Sequence, residues 1–360
     1  MDAIAILTGG GPAPGLNTVV GSVAKTFLQK GYRVLGLHGG YSALFTDTPK
    51  ITEIDFLLAD DIFNRGGSFL TMSRFKPSDK NFEEDFNLDL FVKNNVKLLV
   101  TVGGDDTAST ANRIAKFLAA KKYPIANIHV PKTIDNDLSC TDWTFGFDTA
   151  SNIAMEEIDR LHTTAESHER CFVVECMGRH TGWITLQAGV AANAHLVLIP
   201  EFPMSFDEIY DLVRSRYLRG ERYTIIAVAE GFELTGEKLE ELERDMFGNV
   251  LLLHRELARH LADRIEKAIR SDETLDKRRE HFEARSVVLG HLQRGGAPSA
   301  FDRMLGTRMG VKAGDLVVSG EYGNMVSLRG TEIAVADLDR AVTERKKVGK
   351  ELYDVATLFY

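Results

Sequence analysis

The sequence predicts an α/β protein with mostly parallel sheets, arranged as two domains. Three observations carry this. Short aliphatic and β-branched runs recur along the chain, segments of helical character separate several of them, and 360 residues is length enough for two domains of ordinary size. The runs are Ala3–Thr8, Val34–Leu37, Leu98–Val102, Ile128–Val130, Phe172–Val174, Leu196–Ile199, Ile225–Val228 and Val287–Leu289. Their near-continuous apolarity suits strands covered on both faces, as in parallel sheets.

The plainest helix is the four-residue repeat Leu253, Leu257, Leu261, Ile265 and Ile269, an apolar stripe along Leu252–Arg270 with charges between, which reads as structural. Near the end, Glu344-Arg345-Lys346-Lys347 reads as a solvated helix face. No repeat, low-complexity tract or Pro/Ser-rich linker marks a boundary, so the two domains are expected to exchange the chain more than once.

Composition excludes several functions. A formal net charge of −9 repels nucleic acid and anionic membrane surfaces, so any phosphate must be met by local Arg, Lys and backbone N–H groups. No apolar run reaches the roughly 18 residues needed to cross a bilayer, and Met1-Asp2 runs straight into a strand, which points to the cytoplasm. Cys140, Cys171 and Cys176 form no disulfide framework. The last two sit at odd separation in one strand and face opposite ways, and no Cys/His cluster has zinc spacing.

Chemically loaded segments follow the strands, where open α/β sheets bind ligands. After the first strand comes Gly9-Gly10-Gly11-Pro12-Ala13-Pro14-Gly15, able to bring backbone N–H groups and a helix N-terminus to an anion, yet without the GK[ST] of a Walker loop or the spacing of a dinucleotide fingerprint. Gly103-Gly104-Asp105-Asp106-Thr107 offers adjacent carboxylates for Mg²⁺, or a helix capped by aspartate and starting at Asp106 or Thr107. Pro131-Lys132-Thr133-Ile134-Asp135-Asn136-Asp137 supplies a cation, a hydroxyl and two acids two residues apart, one of which can act as a general base. The later loops hold Glu175 to Arg179, Glu230-Gly231, and His291 to Gly296. With Arg170 and Arg285, they are expected to gather Arg170, Arg179, Arg285, His291 and Arg294 near one rim as a phosphate-monoester site.

In this order the loops resemble the phosphofructokinase family over nearly the whole chain. PKTIDND, GFDTA (Gly146–Ala150), MGR and GHLQRGG are specific in combination, and the match runs on to Asp302-Arg303 and Arg308-Met309-Gly310. The resemblance implies two doubly wound α/β domains with the active site in the cleft between them. It places the phosphoryl-donor domain in 1–146 with about 293–301 and 322–360, and the sugar-phosphate domain in 147–292 with about 302–321. It implies that Asp135 takes the proton from the 1-hydroxyl of fructose 6-phosphate, that Asp137 assists, and that Asp105 holds Mg²⁺. Thr133, Asp135, Met177, Gly178, Arg179, Glu230, His291 and Arg294 would meet the sugar phosphate. Arg170 and Arg285 would reach the 6-phosphate from a neighbouring subunit of a homodimer or homotetramer. Gly11, Tyr41, Arg74, Asp106, Thr107 and Lys132 would line the donor side, with Lys132, Thr133 and Arg179 also serving catalysis.

The donor implied is pyrophosphate. Members that use ATP resemble GGDGS and PGTIDND, whereas this chain has Asp106 and Lys132 at the corresponding places. An Asp106 carboxylate beside a nucleotide's α-phosphate, at ~4 Å and an effective dielectric of ~20, repels it by roughly 4 kcal/mol, and Lys132 pairs with the short diphosphate instead. Pro12 stands where many relatives have Asp. An ATP-dependent sugar-phosphate kinase and a non-catalytic sugar-phosphate-binding subunit are the two alternatives.

Overall fold

A computed structural model describes residues 1–123, 125–236, 255–319, 323–341, 343–358 and 360. In chain order the first elements are β1 (Ala3–Thr8), α1 (Leu16–Gln29), β2 (Arg33–Leu37), β3 (Ile51–Glu53), α2 (Phe56–Ile62), α3 (Asp79–Glu84), α4 (Leu88–Asn94), β4 (Val96–Gly103), α5 (Asp105–Ala120) and β5 (Ala126–Pro131). Next come α6 (Phe147–His168), β6 (Cys171–Cys176), α7 (Trp183–Ala191), β7 (Leu196–Leu198), α8 (Phe206–Leu218), β8 (Thr224–Ala229), α9 (Leu257–Ser271) and β9 (Ala284–Val288). The last are α10 (Ala300–Ser319), β10 (Asn324–Arg329), β11 (Glu332–Asp337), α11 (Leu338–Ala341) and α12 (Lys350–Thr357). Among the described residues no helix is long and apolar enough to cross a membrane.

The chain divides into two compact units, 1–150 with 294–346 and 151–293 with 347–360. The first is built on a seven-stranded sheet in the order β11-β10-β5-β4-β1-β2-β3. Its five inner strands are parallel, and β3 and β11 run antiparallel at the edges. Ile4, Ile6, Leu98, Val100 and Ile128 face one apolar cluster with α1 and α10, while Ala5, Leu7 and Leu99 face another with Phe82, Phe91 and Ile114. This two-sided covering is why the parallel strands read as unbroken apolar runs. Register brings Thr8 level with Val102, and Gly103 level with Pro131, so three loops leave adjacent strand ends together.

The second unit carries a four-stranded sheet, β7-β8-β6-β9, all parallel. Its α9 bears the expected stripe: Leu257, Leu261, Ile265 and Ile269 are buried in one cluster with Val173 and Ile226. Leu252 and Leu253 lie outside the described residues. Cys176 is level with Ala229 and Glu175 with Val288, so a second set of loops also starts from neighbouring strand ends. Cys171 and Cys176 are both buried, and burial raises each thiol to about 12.

These units depart from the expected division at two segments. Residues 302–319 belong with the first unit because α10 packs along α1. Side chains grown from Gly306, Gly310 and Gly314 would meet Val19, Ser22 and Thr26 at 3.1, 2.7 and 2.3 Å, so three hydrogens on one helix face set that approach. Residues 347–360 belong with the second, where the Tyr360 hydroxyl donates to Val197 O at 2.8 Å and Val348 N donates to Glu201 Oε1 at 3.1 Å.

Candidate active site

In the first unit the glycine loop is overlaid by cations. Lys132, 4% exposed, extends from the end of β5 so that its Nζ donates to Gly11 O at 2.7 Å. Arg294 Nη1 donates to Pro12 O at 3.3 Å. A Cβ on Gly10 would lie 3.3 Å from Lys132 Nζ, and one on Gly11 would lie 3.0 Å from Arg294 Nη1. The glycines thus let two long basic side chains rest on the main chain. Burial, then Arg294 and Arg74, push Lys132 down to about 7 against the opposing pull of Asp135 and Asp137. Such crowding of like charge makes this a place for an anion. The structure brings Gly11, Arg74 and Lys132, three of the residues read as donor-side, together. Arg294, expected among the sugar contacts, sits with this group.

Tyr41 differs from expectation. It is 3% exposed in the apolar core, with its hydroxyl donating to Thr107 O at 2.6 Å, so it supports α5 from beneath and presents no wall to a ligand. Thr107 is also buried and packs between two glycine turns: a Cβ on Gly9 or Gly103 would come within 2.6 or 2.3 Å of its Oγ1.

The helix α5 begins at Asp105 itself, with Gly104 as its N-cap and no side chain capping it. Both aspartates therefore lie in the first turn, where the helix dipole favours carboxylates, and Asp105 Oδ1 accepts from Asp106 N at 2.7 Å. Asp106 is 72% exposed and bonded to Lys76 Nζ at 2.9 Å. Water and Lys76 together screen its charge, so the repulsion of roughly 4 kcal/mol expected from an unpaired carboxylate is an upper bound here.

The acid loop after β5 is held by its own polar groups. Asp135 N donates to Thr133 Oγ1 at 3.0 Å, and Thr133 Oγ1 donates to Asp137 Oδ1 at 3.3 Å. Burial and the charges of Asp135 and Asp105 raise Asp137 well above the usual carboxylate range, with Arg345 opposing. Three acids are thus gathered at one place, with Arg345 beside them. Among the described residues no three His, Cys, Asp or Glu are placed to hold a metal by protein ligands alone. Mg²⁺ binds characteristically through one or two carboxylates plus substrate phosphates, so Asp105, 45% exposed beside this acidic cluster, fits it.

The charged run near the C-terminus is an extended strap and no helix. Arg345 forms an antiparallel bridge with Leu138 and reaches Asp105 Oδ2 at 3.7 Å, while Lys346 N donates to Asp137 O at 2.8 Å. A cavity of about 280 Å³ opens beside it, lined by Asp105, Asp137, Leu138, Ala341, Thr343, Glu344 and Arg345. Sequence reasoning missed this strap; the signal was the charge run itself.

In the second unit, Met177, Gly178 and Arg179 follow β6, Glu230 follows β8 and His291 follows β9. Glu230 N donates to Cys176 O at 2.9 Å and Gly231 N to Gly178 O at 3.0 Å, extending the ladder beyond the strands. A Cβ on Gly231 would fall 1.9 Å from Arg179 O, so glycine there lets the two loops touch. Arg179 Nε is buried without a hydrogen-bond partner, a donor left for an incoming acceptor. Met177 N donates to the buried Gln293 Oε1 at 3.4 Å. His291 is exposed.

Arg170 and Arg285 do not share that rim. They flank the opposite ends of β6 and β9, where Cys171 is level with Ala284, and a six-residue strand spans about 20 Å. Both converge on Glu283 Oε2, Arg170 Nε at 2.5 Å and Arg285 Nη2 at 3.0 Å. Place along a strand decides which end a side chain occupies: Arg170 immediately precedes β6 and Arg285 is the second residue of β9.

The Phosphofructokinase family model matches residues 3–317. A Streptomyces coelicolor pyrophosphate-fructose 6-phosphate 1-phosphotransferase is 42% identical over 361 residues, covering 99% of each chain. An ATP-dependent 6-phosphofructokinase of Mycobacterium tuberculosis is 40% identical over 365 residues, again covering 99% of each. Among solved structures, the Marinobacter aquaeolei pyrophosphate-dependent phosphofructokinase superposes with a TM-score of 0.81 at 20% identity, covering 100% of this chain and 91% of that one, a likeness of fold. Pichia pastoris phosphofructokinase superposes with a TM-score of 0.78 at 27% identity over 99% of this chain, which spans 36% of that longer one. With cations seated on the glycine loop, clustered acids and this full-length similarity, the chain belongs to the phosphofructokinase family and is a phosphotransferase.

Proposed function

We propose that the protein transfers a phosphoryl group from pyrophosphate to the 1-hydroxyl of fructose 6-phosphate, reversibly and with Mg²⁺, as a glycolytic enzyme of the cytoplasm. The observation that carries the donor assignment is Lys132, buried on the glycine loop beside Arg294 and Arg74, its Nζ seated on Gly11 O. A compact diphosphate with several negative charges answers that arrangement. Asp135 removes the hydroxyl proton and Asp137 assists, both kept in place through Thr133. Asp105 would hold Mg²⁺, which would supply charge neutralisation to the donor when bound. Met177, Gly178, Arg179, Glu230 and His291 receive the sugar phosphate. Arg170 and Arg285, at the far end of their sheet, serve the 6-phosphate of a neighbouring subunit in a homodimer or homotetramer. Phosphoryl transfer asks mainly for this positioning and charge neutralisation.

The second reading is an ATP-dependent kinase on the same scaffold. It is favoured by the exposure of Asp106 and its bond to Lys76, and by the name of the Mycobacterium tuberculosis relative. Steady-state assays of the purified chain with Mg²⁺ and each donor decide: turnover is expected with pyrophosphate, and a higher kcat/KM with ATP overturns the assignment. Because Lys76 and water screen Asp106, Asp106→Gly is expected to raise kcat/KM for ATP by about tenfold, with little change for pyrophosphate. An unchanged ratio of the two donors places the discrimination elsewhere.

A further inference from the structure

The loop bearing Asp135 and Asp137 has no helix or strand to stiffen it, and its middle residue, Asn136, holds φ at 51°, a left-handed conformation that must be kept in place from outside. Asn136 Oδ1 accepts from Thr144 N at 3.0 Å and from Lys346 Nζ at 2.9 Å. The same ammonium donates to Thr141 O at 3.0 Å and to Asp142 O at 2.7 Å. Its three protons thus meet one amide oxygen and two backbone carbonyls, with no carboxylate among these three acceptors. These three bonds fix three separate points of the chain to one ammonium. The main chain of the strap adds to it: Lys346 N donates to Asp137 O at 2.8 Å, and Arg345 bridges Leu138. One residue therefore grips the loop at Asn136 with its side chain and at Asp137 with its backbone, on either side of the Asn136–Asp137 peptide.

We propose that Lys346 is a positioning residue of the phosphoryl-transfer centre, fixing the Asp135–Asp137 loop in the conformation that presents the base to the sugar hydroxyl. This rests on the acid–base reading above. Its environment supports the role, since burial lowers the ammonium to about 8 while Asp142 and Asp137 counter that and Arg329 adds to it. The seat keeps its charge for the carbonyls it holds.

The test replaces Lys346 by Met, which keeps the length and removes the donors, and Asn136 by Gly, which tolerates the positive φ and removes the amide oxygen. Rates are read with whichever donor the unaltered chain turns over, so the donor question does not enter. Each variant is expected to lower kcat about 100-fold with both KM values within threefold, and the double variant to lose little more than either single. Loss of stability with kcat unchanged, loss confined to KM, or fully multiplicative losses would overturn the proposal. Hydrogen exchange of the amides between Thr133 and Thr144 in the full chain is expected to quicken in both variants. Unchanged exchange overturns the proposal even if the catalytic reading itself survives, and quickened exchange sustains it even if Asp135 proves not to be the base.

Discussion

Asp135→Asn lowers kcat by about 10³ to 10⁴ with fructose 6-phosphate binding nearly intact. A positioned general base contributes about 10² to 10⁴ to a rate. The upper part of that range is expected because Asn keeps the size and loop bonds while removing the only function that matters, acceptance of a proton. The bonds from Asp135 N to Thr133 Oγ1 and from Thr133 Oγ1 to Asp137 Oδ1 do not involve the carboxylate that the substitution changes at 135. Pre-steady-state and equilibrium binding measurements separate the two effects. A rate within threefold of the original would remove Asp135 from the chemistry and pass the role to Asp137, which stands raised by burial and by its neighbours.

Lys132→Met costs about 10² to 10³ in kcat/KM for pyrophosphate, the range typical of losing one preorganised charge at a transferring phosphate. It also changes the pH profile. In the free protein Lys132 is lowered to about 7, chiefly by burial, so above that pH it is largely neutral. A bound diphosphate favours the ammonium and raises its pKa again, so binding takes up a proton, and affinity falls as pH rises above about 7. Below about 7 the amine is already protonated and contributes no slope. Calorimetric titrations at rising pH are expected to show this weakening in the original chain and a flatter dependence in Lys132→Met; identical slopes would contradict it. Stability shows the opposite sign. The unfolded chain holds the lysine proton up to its ordinary pKa, so between about 7 and 10 raising the pH strengthens folding through this residue.

Much of the scaffold was legible because parallel strands covered on both faces must be apolar throughout. Every run read as a strand corresponds to one, with Ile199 and Leu289 falling just past the ends of β7 and β9. The strands missed are β3, β10 and β11: β3 and β11 lie antiparallel at the sheet edges, and in β11 every residue is partly exposed or exposed. Partial exposure mixes polar with apolar residues, which hides such strands from a search for continuous runs. Glycine loops and the acid loop could be read because their residue types suit anion and proton chemistry and because they follow strands.

What pairs with what across the tertiary fold was less accessible. Arg294 reads as a sugar-phosphate contact until its guanidinium is seen on Pro12 O, and Tyr41 reads as a ligand wall until its hydroxyl is found on Thr107 O. The strap from Thr343 to Lys346 lies some 200 residues beyond the loop it holds, a distance at which local pattern carries no information.

The glycine-lined meeting of α10 with α1 has a consequence for how such a protein can change over time. α1 follows the turn that carries the Gly9–Pro12 main chain, and its spacing from α10 is set by Gly306, Gly310 and Gly314 against Val19, Ser22 and Thr26. Enlarging any one of these positions pushes the helix away and carries the glycine turn with it. Change along this seam therefore calls for concerted exchanges in which one helix shrinks as the other grows, so the position of the glycine turn depends on a helix contact that carries no chemistry of its own.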